Sequence, residues 1–519
     1  MEHFDLIIIG GGATGAGVAL DASLRGLKVA LLERNDFAEG TSSRSTKLVH
    51  GGVRYLEAAV KHLDKAQFDL VREGLRERKI FLHNAPHLAH PLELITPLYH
   101  WLELPYIYAG LTLYDLLAGS ASLGRSRLLL AAQALRRNPD IAPDNLKGAV
   151  TYYDGAFRDS RMVIALLRSA QELGAKVCNH REMIGLVKEK GRIVGARWRE
   201  RIDGGEGVWR ADLVINATGP YADTLRRMDD PSLEPLMIPS RGVHIVLPKR
   251  FLPGQDGLLI PKTRDGRVLF ALPYLGHCLA GTTDEAGEIE EHPRPKEEEI
   301  DYLIDHLNGY FAMKVRKEDI LASFAGLRPL VRKPGAHSTA ELVREYVTEV
   351  SPGGMLTIAG GKWTAYRAMA EKTVDEALAI LKKAPRPCPT YDYKVLGSRR
   401  DKTAILAEIA GEVDSDVARH LYDHYGDEAA KIVDIAKRSD RLKRLHPDFP
   451  VIEAELFYTM EHEYVRKPLD FLVRRCSLGL LEQEAARRVL PHVTALMADH
   501  LGWDDEMRQK MQREAHALL

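Results

Sequence analysis

Gly10, Gly12 and Gly15 follow a run of strand-forming residues, Leu6 to Ile9, and lead straight into a helical pattern at Ala16, Val18, Ala19, Leu20, Ala22 and Leu24. The three glycines do different things. Gly10 makes a tight turn, Gly12 lets the backbone approach a pyrophosphate, and Gly15 lets the helix pack closely on the strand. The helix N-terminus, with Ala13 and Thr14 in its first turn, then points its amides and dipole at phosphate. A second strand, Lys28 to Leu32, ends at Glu33, 18 residues past Gly15. An acid about 20 residues on is placed to accept hydrogen bonds from ribose hydroxyls. Strand, glycines, helix, strand and acid in this order predict dinucleotide binding, where an isolated glycine triplet would predict only a turn.

The elements around this unit follow from periodicity. Residues 57–83 read as an amphipathic helix with Leu63, Ala66, Leu70, Leu75 and Ile80 toward the core, and residues 158–173 as a second helix. Lys176–Lys188 and Arg192–Arg199, joined at Glu189-Lys190-Gly191, read as a hairpin. Ala211–Thr218 reads as a buried parallel strand stopping at Gly219-Pro220, and residues 236–285 as an antiparallel sheet. Residues 341–360 return to strands before Gly360-Gly361 opens a helix through Ala365, Met369 and Val374. Three prolines in residues 384–391 mark a linker, and residues 400–519 carry helical patterns with almost no strand signal.

The 519 residues allow two or three domains. With 72 basic and 73 acidic residues the net charge is −1, which gives no global case for nucleic acid. Cys178, Cys278, Cys388 and Cys476 are far apart and read as reduced cytosolic thiols, not as a disulfide frame, a zinc site or an iron–sulfur site. No metal site is expected. No signal peptide and no uncharged apolar stretch of about 18 residues is evident. The nearest candidate, Leu92–Leu117, is interrupted by Pro97, Glu103, Pro105 and Asp115. It reads either as a buried helix pair or as an apolar plateau that dips into a bilayer surface, with Trp101, Tyr106 and Tyr108 as interfacial aromatics and Arg125 and Arg127 just beyond.

Thr41-Ser-Ser-Arg-Ser-Thr-Lys-Leu-Val-His-Gly-Gly-Val-Arg-Tyr-Leu56 closely resembles the signature of the FAD-dependent glycerol-3-phosphate dehydrogenases. Asn216-Ala-Thr-Gly-Pro220, Gly281-Thr-Thr-Asp284, Gly326-Leu-Arg-Pro-Leu330 and Gly360-Gly-Lys-Trp-Thr-Ala-Tyr-Arg367 continue the likeness. Glu461-His-Glu-Tyr-Val-Arg466 and Leu472-Val-Arg-Arg475 carry it into the helical tail. The resemblance implies oxidation of sn-glycerol 3-phosphate to dihydroxyacetone phosphate, with electrons passing from non-covalent FAD to a membrane quinone. The chain lacks the long insert of the peroxide-forming oxidases, the calcium-binding extension of mitochondrial members and the cysteine-rich tail of the anaerobic type, so a single-subunit bacterial-style enzyme is expected.

The same resemblance assigns the site. Arg54, Arg328 and Lys362 are expected to anchor the phosphate dianion, with Tyr55 adding a hydrogen bond. His244 is the candidate general base and Arg328 stabilises the developing alkoxide, while His50 is an alternative imidazole or a flavin contact. FAD is expected to meet Gly10, Gly12, Ala13, Thr14, Gly15, Glu33, Thr41, Ser42, Ser43, Lys47, Leu48, His50, Gly51, Ala217, Thr218, Gly219, Gly361, Lys362, Trp363 and Thr364. The Gly360-Gly361-Lys362 turn and its helix N-terminus would stabilise negative charge on the reduced flavin.

The fold class expected is α/β: a Rossmann-like FAD-binding domain, an antiparallel β substrate or cap domain, and a C-terminal α-helical domain. Residues 1–90, 145–230 and 340–385 are assigned to the first, 91–144 and 231–339 to the second, 386–399 to a linker and 400–519 to the third. A cytoplasmic protein bound peripherally to the inner face of the cytoplasmic membrane is expected, and a homodimer is open. Two other readings stay open: a related FAD-dependent amine or amino-acid oxidase, and a non-catalytic flavoprotein.

Overall fold

The computed structural model describes residues 2–53, 56, 64–261, 263, 266–332 and 346–519. Among these residues the first sheet has eight strands. The apolar strand His3–Ile9 lies between Glu206–Asn216 and Val29–Leu32, parallel to both, with Lys176–Cys178 and Leu356–Gly360 extending the parallel run on either side. Strands buried on both faces need helices as covers, and helices Ala13–Leu24, Asp159–Glu172 and Tyr366–Ile380 close one face through Ala16, Ala19, Val163, Leu166, Met369 and Val374. The hairpin Arg181–Glu189 and Arg192–Glu200 adds two more strands, and Tyr346–Val350, antiparallel to Leu356–Gly360, is the last.

A second sheet has ten strands among the described residues and is mainly antiparallel. One of its two longest pairs joins Met237–Pro248 to Ala322–Val331. Strand Gly148–Phe157, expected within the nucleotide-binding segment, pairs instead with Ala89–Leu98 in this second sheet. The segment Leu92–Leu117 is not a helix pair. Its first part is that buried strand Ala89–Leu98, and its second part is a helix, Glu103–Ala118, exposed along one side. Helix Lys65–Asn84 is capped by Asp64, whose carboxylate accepts from the Ala66 amide at 2.9 Å. Its buried stripe is Val71, Leu75, Arg78 and Phe81, whereas Ala66 is exposed and Leu70 and Ile80 are half-buried. The expected core position Leu63 lies outside the described residues.

Residues beyond the proline-rich segment form the helical unit, from Lys402–Glu408 to Asp505–Leu518. Two clusters fill it, one around Leu421, Ile432 and Tyr458, the other around Phe471, Leu472, Val493 and Met497. It docks on the first sheet through buried ions. Arg474 and Arg475 both donate to Asp36, at 2.5 and 2.8 Å, and His180 meets Asp470 at 2.9 Å. All four cysteines are free. Among the described residues no helix is long and apolar enough to cross a membrane.

Candidate active site

The glycine turn is built as a cradle. Gly10 has φ +112°, and a Cβ there would meet the Ala217 carbonyl oxygen at 2.5 Å. A Cβ on Gly15 would lie 1.9 Å from the Gly10 oxygen, so only glycine brings helix Ala13–Leu24 this close to its strand. The Ala13 amide donates to Ser42 Oγ at 2.9 Å, which ties the hydroxyl run Thr41–Ser43 to the helix entry. Thr41 Oγ1 donates to the Leu327 carbonyl at 2.5 Å, and Trp363 Nε1 donates to the Ser42 carbonyl at 2.9 Å. The carboxylate of Glu33 accepts from the amides of Gly11 and Asn35, at 2.7 and 2.9 Å. Burial pushes the Glu33 carboxyl up, and those two amides oppose the shift.

The second sheet contributes a row of side chains. On the paired strands His244 lies opposite Phe324, and Ser240 lies opposite Arg328. Alternation along a strand puts residues two and four apart on one face, so His244, Phe324 and Arg328 share it. The Arg328 guanidinium donates to Thr282 Oγ1 at 2.9 Å, to the Thr283 carbonyl at 2.7 Å and to Asp284 at 3.2 Å. These acceptors belong to Gly281–Asp284, and Ser240 Oγ and the Arg241 carbonyl accept from the same guanidinium at 3.4 and 3.3 Å. His244 is 3% exposed, with its ring stacked on Phe324 at 5.1 Å between centroids. Burial, with Lys47 and then Arg328 nearby, holds its imidazole well below the usual histidine range. A general base with a pKa near ambient pH was expected here, and the structure corrects that: these surroundings make the ring a weaker base than a free histidine.

Lys47 is not at the surface. Its ammonium is buried between Asp159, at 2.6 Å, and the Ser43 carbonyl, at 2.5 Å. The Leu48 side chain belongs to the apolar cluster under helix Glu103–Ala118. The His50 amide donates to Thr364 Oγ1 at 3.2 Å, and the Gly51 amide to Tyr114 Oη at 2.8 Å. Gly219 has φ +58° and Gly361 φ +82°, and a Cβ on Gly361 would meet Met369 Sδ at 2.4 Å. Ala217, Thr218 and Gly219 close the carboxyl end of the central strand, where Thr218 Oγ1 donates to Asn216 at 2.7 Å. Lys362 stands at the N-cap of the short turn Trp363–Ala365. Arg54 and Tyr55 lie outside the described residues.

Comparison with known proteins decides among the flavin readings. A family model for "FAD dependent oxidoreductase" matches residues 5–367, and one for the "C-terminal domain of alpha-glycerophosphate oxidase" matches residues 388–508. The chain is 43% identical, over its full length and 86% of the relative, to "Glycerol-3-phosphate dehydrogenase SDP6, mitochondrial" of Arabidopsis thaliana. It is 43% identical to the mitochondrial glycerol-3-phosphate dehydrogenase of Rattus norvegicus, covering 73% of that protein. The chain belongs to the FAD-dependent glycerol-3-phosphate dehydrogenase family. A solved glycerol-3-phosphate dehydrogenase of Bacillus halodurans, complexed with FAD, superposes with a TM-score of 0.82 at 30% identity over 99% of this chain and 94% of that one. Identity is thus higher to the mitochondrial proteins than to this bacterial one. An L-alpha-glycerophosphate oxidase of Mycoplasma pneumoniae, at 17% identity and a TM-score of 0.57, shares the fold.

For a dehydrogenase of this family the cradle fits FAD. The helix N-terminus at Gly12 and Ala13, the Ser42 hydroxyl and the Glu33 carboxylate form the donor and acceptor set a pyrophosphate and ribose require. Sequence reasoning passed over Thr46, Asp159, Asp284 and Tyr114. Thr46 and Asp284 stand inside the family blocks but carry no motif of their own. Asp159 and Tyr114 reach the site only through the fold.

Proposed function

We propose that this protein oxidises sn-glycerol 3-phosphate to dihydroxyacetone phosphate and passes the electrons to a membrane quinone while attached peripherally to a bilayer. The observation that carries the first half is the shared face of His244 and Arg328 on strands Met237–Pro248 and Ala322–Val331, beside the loop Thr41–Gly51 of a family whose curated members bear this activity. Bound FAD supplies a two-electron acceptor for the hydride from substrate C2. Arg328, held rigid by Thr282, Thr283 and Asp284, orients the phosphate and opposes negative charge on the C2 oxygen. Lys362, with Arg54 and Tyr55, completes the phosphate anchor. His244 accepts the proton of the C2 hydroxyl, for which its neutral form is the competent one.

Support for bilayer attachment comes from helix Glu103–Ala118. Trp101 is 68% exposed, Leu102 86% and Leu116 72%, with Tyr106 and Tyr108 also exposed. Arg125 and Arg127, also exposed, follow closely. Exposed apolar side chains, with exposed arginines near them in sequence, suit the interface of an anionic bilayer. The experiment for the reaction is anaerobic mixing of the purified flavoprotein with sn-glycerol 3-phosphate or with glycerol. The phosphate ester should bleach the flavin and glycerol at equal concentration should not. Bleaching by both would remove the phosphate anchor from the assignment.

A further inference from the structure

The two ends of the Arg328 guanidinium are held unequally. Nη2 donates to Thr282 Oγ1 at 2.9 Å and to the Thr283 carbonyl at 2.7 Å, two acceptors for its two hydrogens. Nη1 faces three acceptors: Asp284 Oδ1 at 3.2 Å, the Arg241 carbonyl at 3.3 Å and Ser240 Oγ at 3.4 Å. All three are longer than the ordinary bond from a charged N–H to a carboxylate oxygen, about 2.7–2.9 Å. The guanidinium lies against the backbone of Gly242, where a Cβ would meet Nη2 at 2.4 Å. Gly242 thus lets the arginine lie flat on its strand, two residues before His244, whose Nε2 is 3.0 Å from Thr46 Oγ1. Nη2 is fixed, and Nη1 is exchangeable.

Asp284 has a second partner. Its Oδ1 also accepts from the hydroxyl of Ser240, which is buried, while Asp284 and Arg328 are half-buried. A carboxylate released by Nη1 would keep that hydroxyl, and so would not be left without a partner, the outcome that makes breaking an ion pair costly. To a guanidinium, a carboxylate oxygen and a phosphate oxygen are acceptors of the same class. Asp284 therefore presents Arg328 with an internal anion of the kind the substrate carries. Substrate and product both bear the phosphate, so a stronger anchor would bind both alike. Such uniform binding lowers KM without raising kcat.

We propose that Asp284 is an internal competitor for the substrate phosphate at Arg328. It holds Nη1, yields it to a phosphate dianion while keeping the Ser240 hydroxyl, and so moderates the hold on a group that the product must also release. Asp284 acts through Arg328 and is in that sense a positioning residue. The proposal rests on the reading of Arg328 as phosphate anchor. It involves no covalent step, only an exchange of acceptors at one nitrogen.

The test uses holoenzyme carrying Asp284→Asn, which keeps the size and an acceptor but removes the charge, Ser240→Ala, which removes the retaining hydroxyl, and Arg328→Ala. The probe is inorganic phosphate. Its binding is read as competitive inhibition of soluble dye reduction and, without turnover, as the rise it causes in the thermal midpoint of the holoprotein. Asp284→Asn should bind phosphate about threefold more tightly than wild type. KM for sn-glycerol 3-phosphate should fall in step, and kcat should not rise. Ser240→Ala should move phosphate binding the opposite way, because Asp284 then leans on Arg328 alone. In an Arg328→Ala background, Asp284→Asn should change neither quantity. A residue that merely held the arginine in place would weaken phosphate binding when changed, so weaker or unchanged binding in Asp284→Asn overturns the proposal. If Asp284→Asn does not fold, Ser240→Ala decides, and tighter or unchanged binding there overturns it. If Arg328→Ala binds phosphate as well as wild type, the anchor reading falls and the competitor role with it.

Discussion

Tyr114 accepts the amide hydrogen of Gly51 at 2.8 Å and donates its own to Asp154 at 2.9 Å. The phenol belongs to helix Glu103–Ala118, whose opposite side is the exposed apolar surface, and the amide belongs to the loop that also carries His50. Asp154 is itself held by Arg78 at 2.6 Å. A residue on the plateau helix thus fixes the loop beside the nucleotide cradle.

Tyr114→Phe leaves a buried amide without its acceptor, a loss that costs about 1–3 kcal/mol. The expected outcome is a lower thermal midpoint and faster loss of flavin on dilution, both read on the holoprotein. A variant as stable as wild type, with unchanged flavin retention, would show that Gly51 finds another partner.

Arg328→Ala removes a guanidinium held by Thr282, Thr283 and Asp284, with Ser240 and the Arg241 carbonyl also accepting from it. A hydrogen bond to a charged group contributes about 1.5–3 kcal/mol, so roughly tenfold or more should be lost in kcat/KM for sn-glycerol 3-phosphate. Inorganic phosphate should compete with substrate in wild type and lose that effect in the variant. Competition of equal strength in both proteins would relieve Arg328 of the anchoring role.

The bilayer surface is tested by flotation with vesicles of increasing anionic lipid content. Ile107 is half-buried against the cluster beneath its helix, so the informative change is Leu102→Ser with Leu116→Ser. The double variant should float less than wild type and reduce a soluble dye equally fast. Equal flotation would move the membrane contact elsewhere on the molecule.

Acid sensitivity should have a local source in Glu93. Burial alone would raise its carboxyl, but hydrogen bonds from Arg137 and Tyr153 win and bring it down to about 2 from the usual 4.5. A depressed carboxylate stabilises the fold fully above its unfolded value and loses that contribution as pH falls through its folded value. Glu93→Gln should therefore flatten the decline of the thermal midpoint between pH 4.5 and 2 relative to wild type. Parallel curves would mean that the Arg137 pair adds nothing to stability.

Where apolar residues decide an element, the sequence shows it. The glycine turn, the parallel strand ending at Asn216 and the helical tail all appear where hydrophobic runs and glycines put them. Helix Lys65–Asn84 shows the limit. Its buried face includes Glu77 and Arg78, which a count of apolar residues assigns to solvent. They are buried because each meets an opposite charge from far along the chain, Glu77 with Arg367 and Arg78 with Asp154. The site divides the same way. Motif residues such as Ser42 and Arg328 can be named from spacing and resemblance, while their holders Asp159, Asp284 and Thr46 are partners only in three dimensions. Leu92–Leu117 is ambiguous as sequence because an apolar stretch serves equally as a core strand and as an exposed helix face.

Asp36, fully enclosed, draws its compensating charges from Arg474 and Arg475, more than four hundred residues away. Cutting the chain at the proline-rich segment would strand that carboxylate beneath the loop leading into Thr41–Ser43. Breaking a buried pair by removing one partner costs about 3–5 kcal/mol, against roughly 5–15 kcal/mol for the whole stability of a typical domain. The nucleotide-binding half is therefore no detachable module. The helical tail acts as a keystone, and evolution or an engineer trimming this enzyme to its flavin core would have to rebuild the ground beneath Asp36 first.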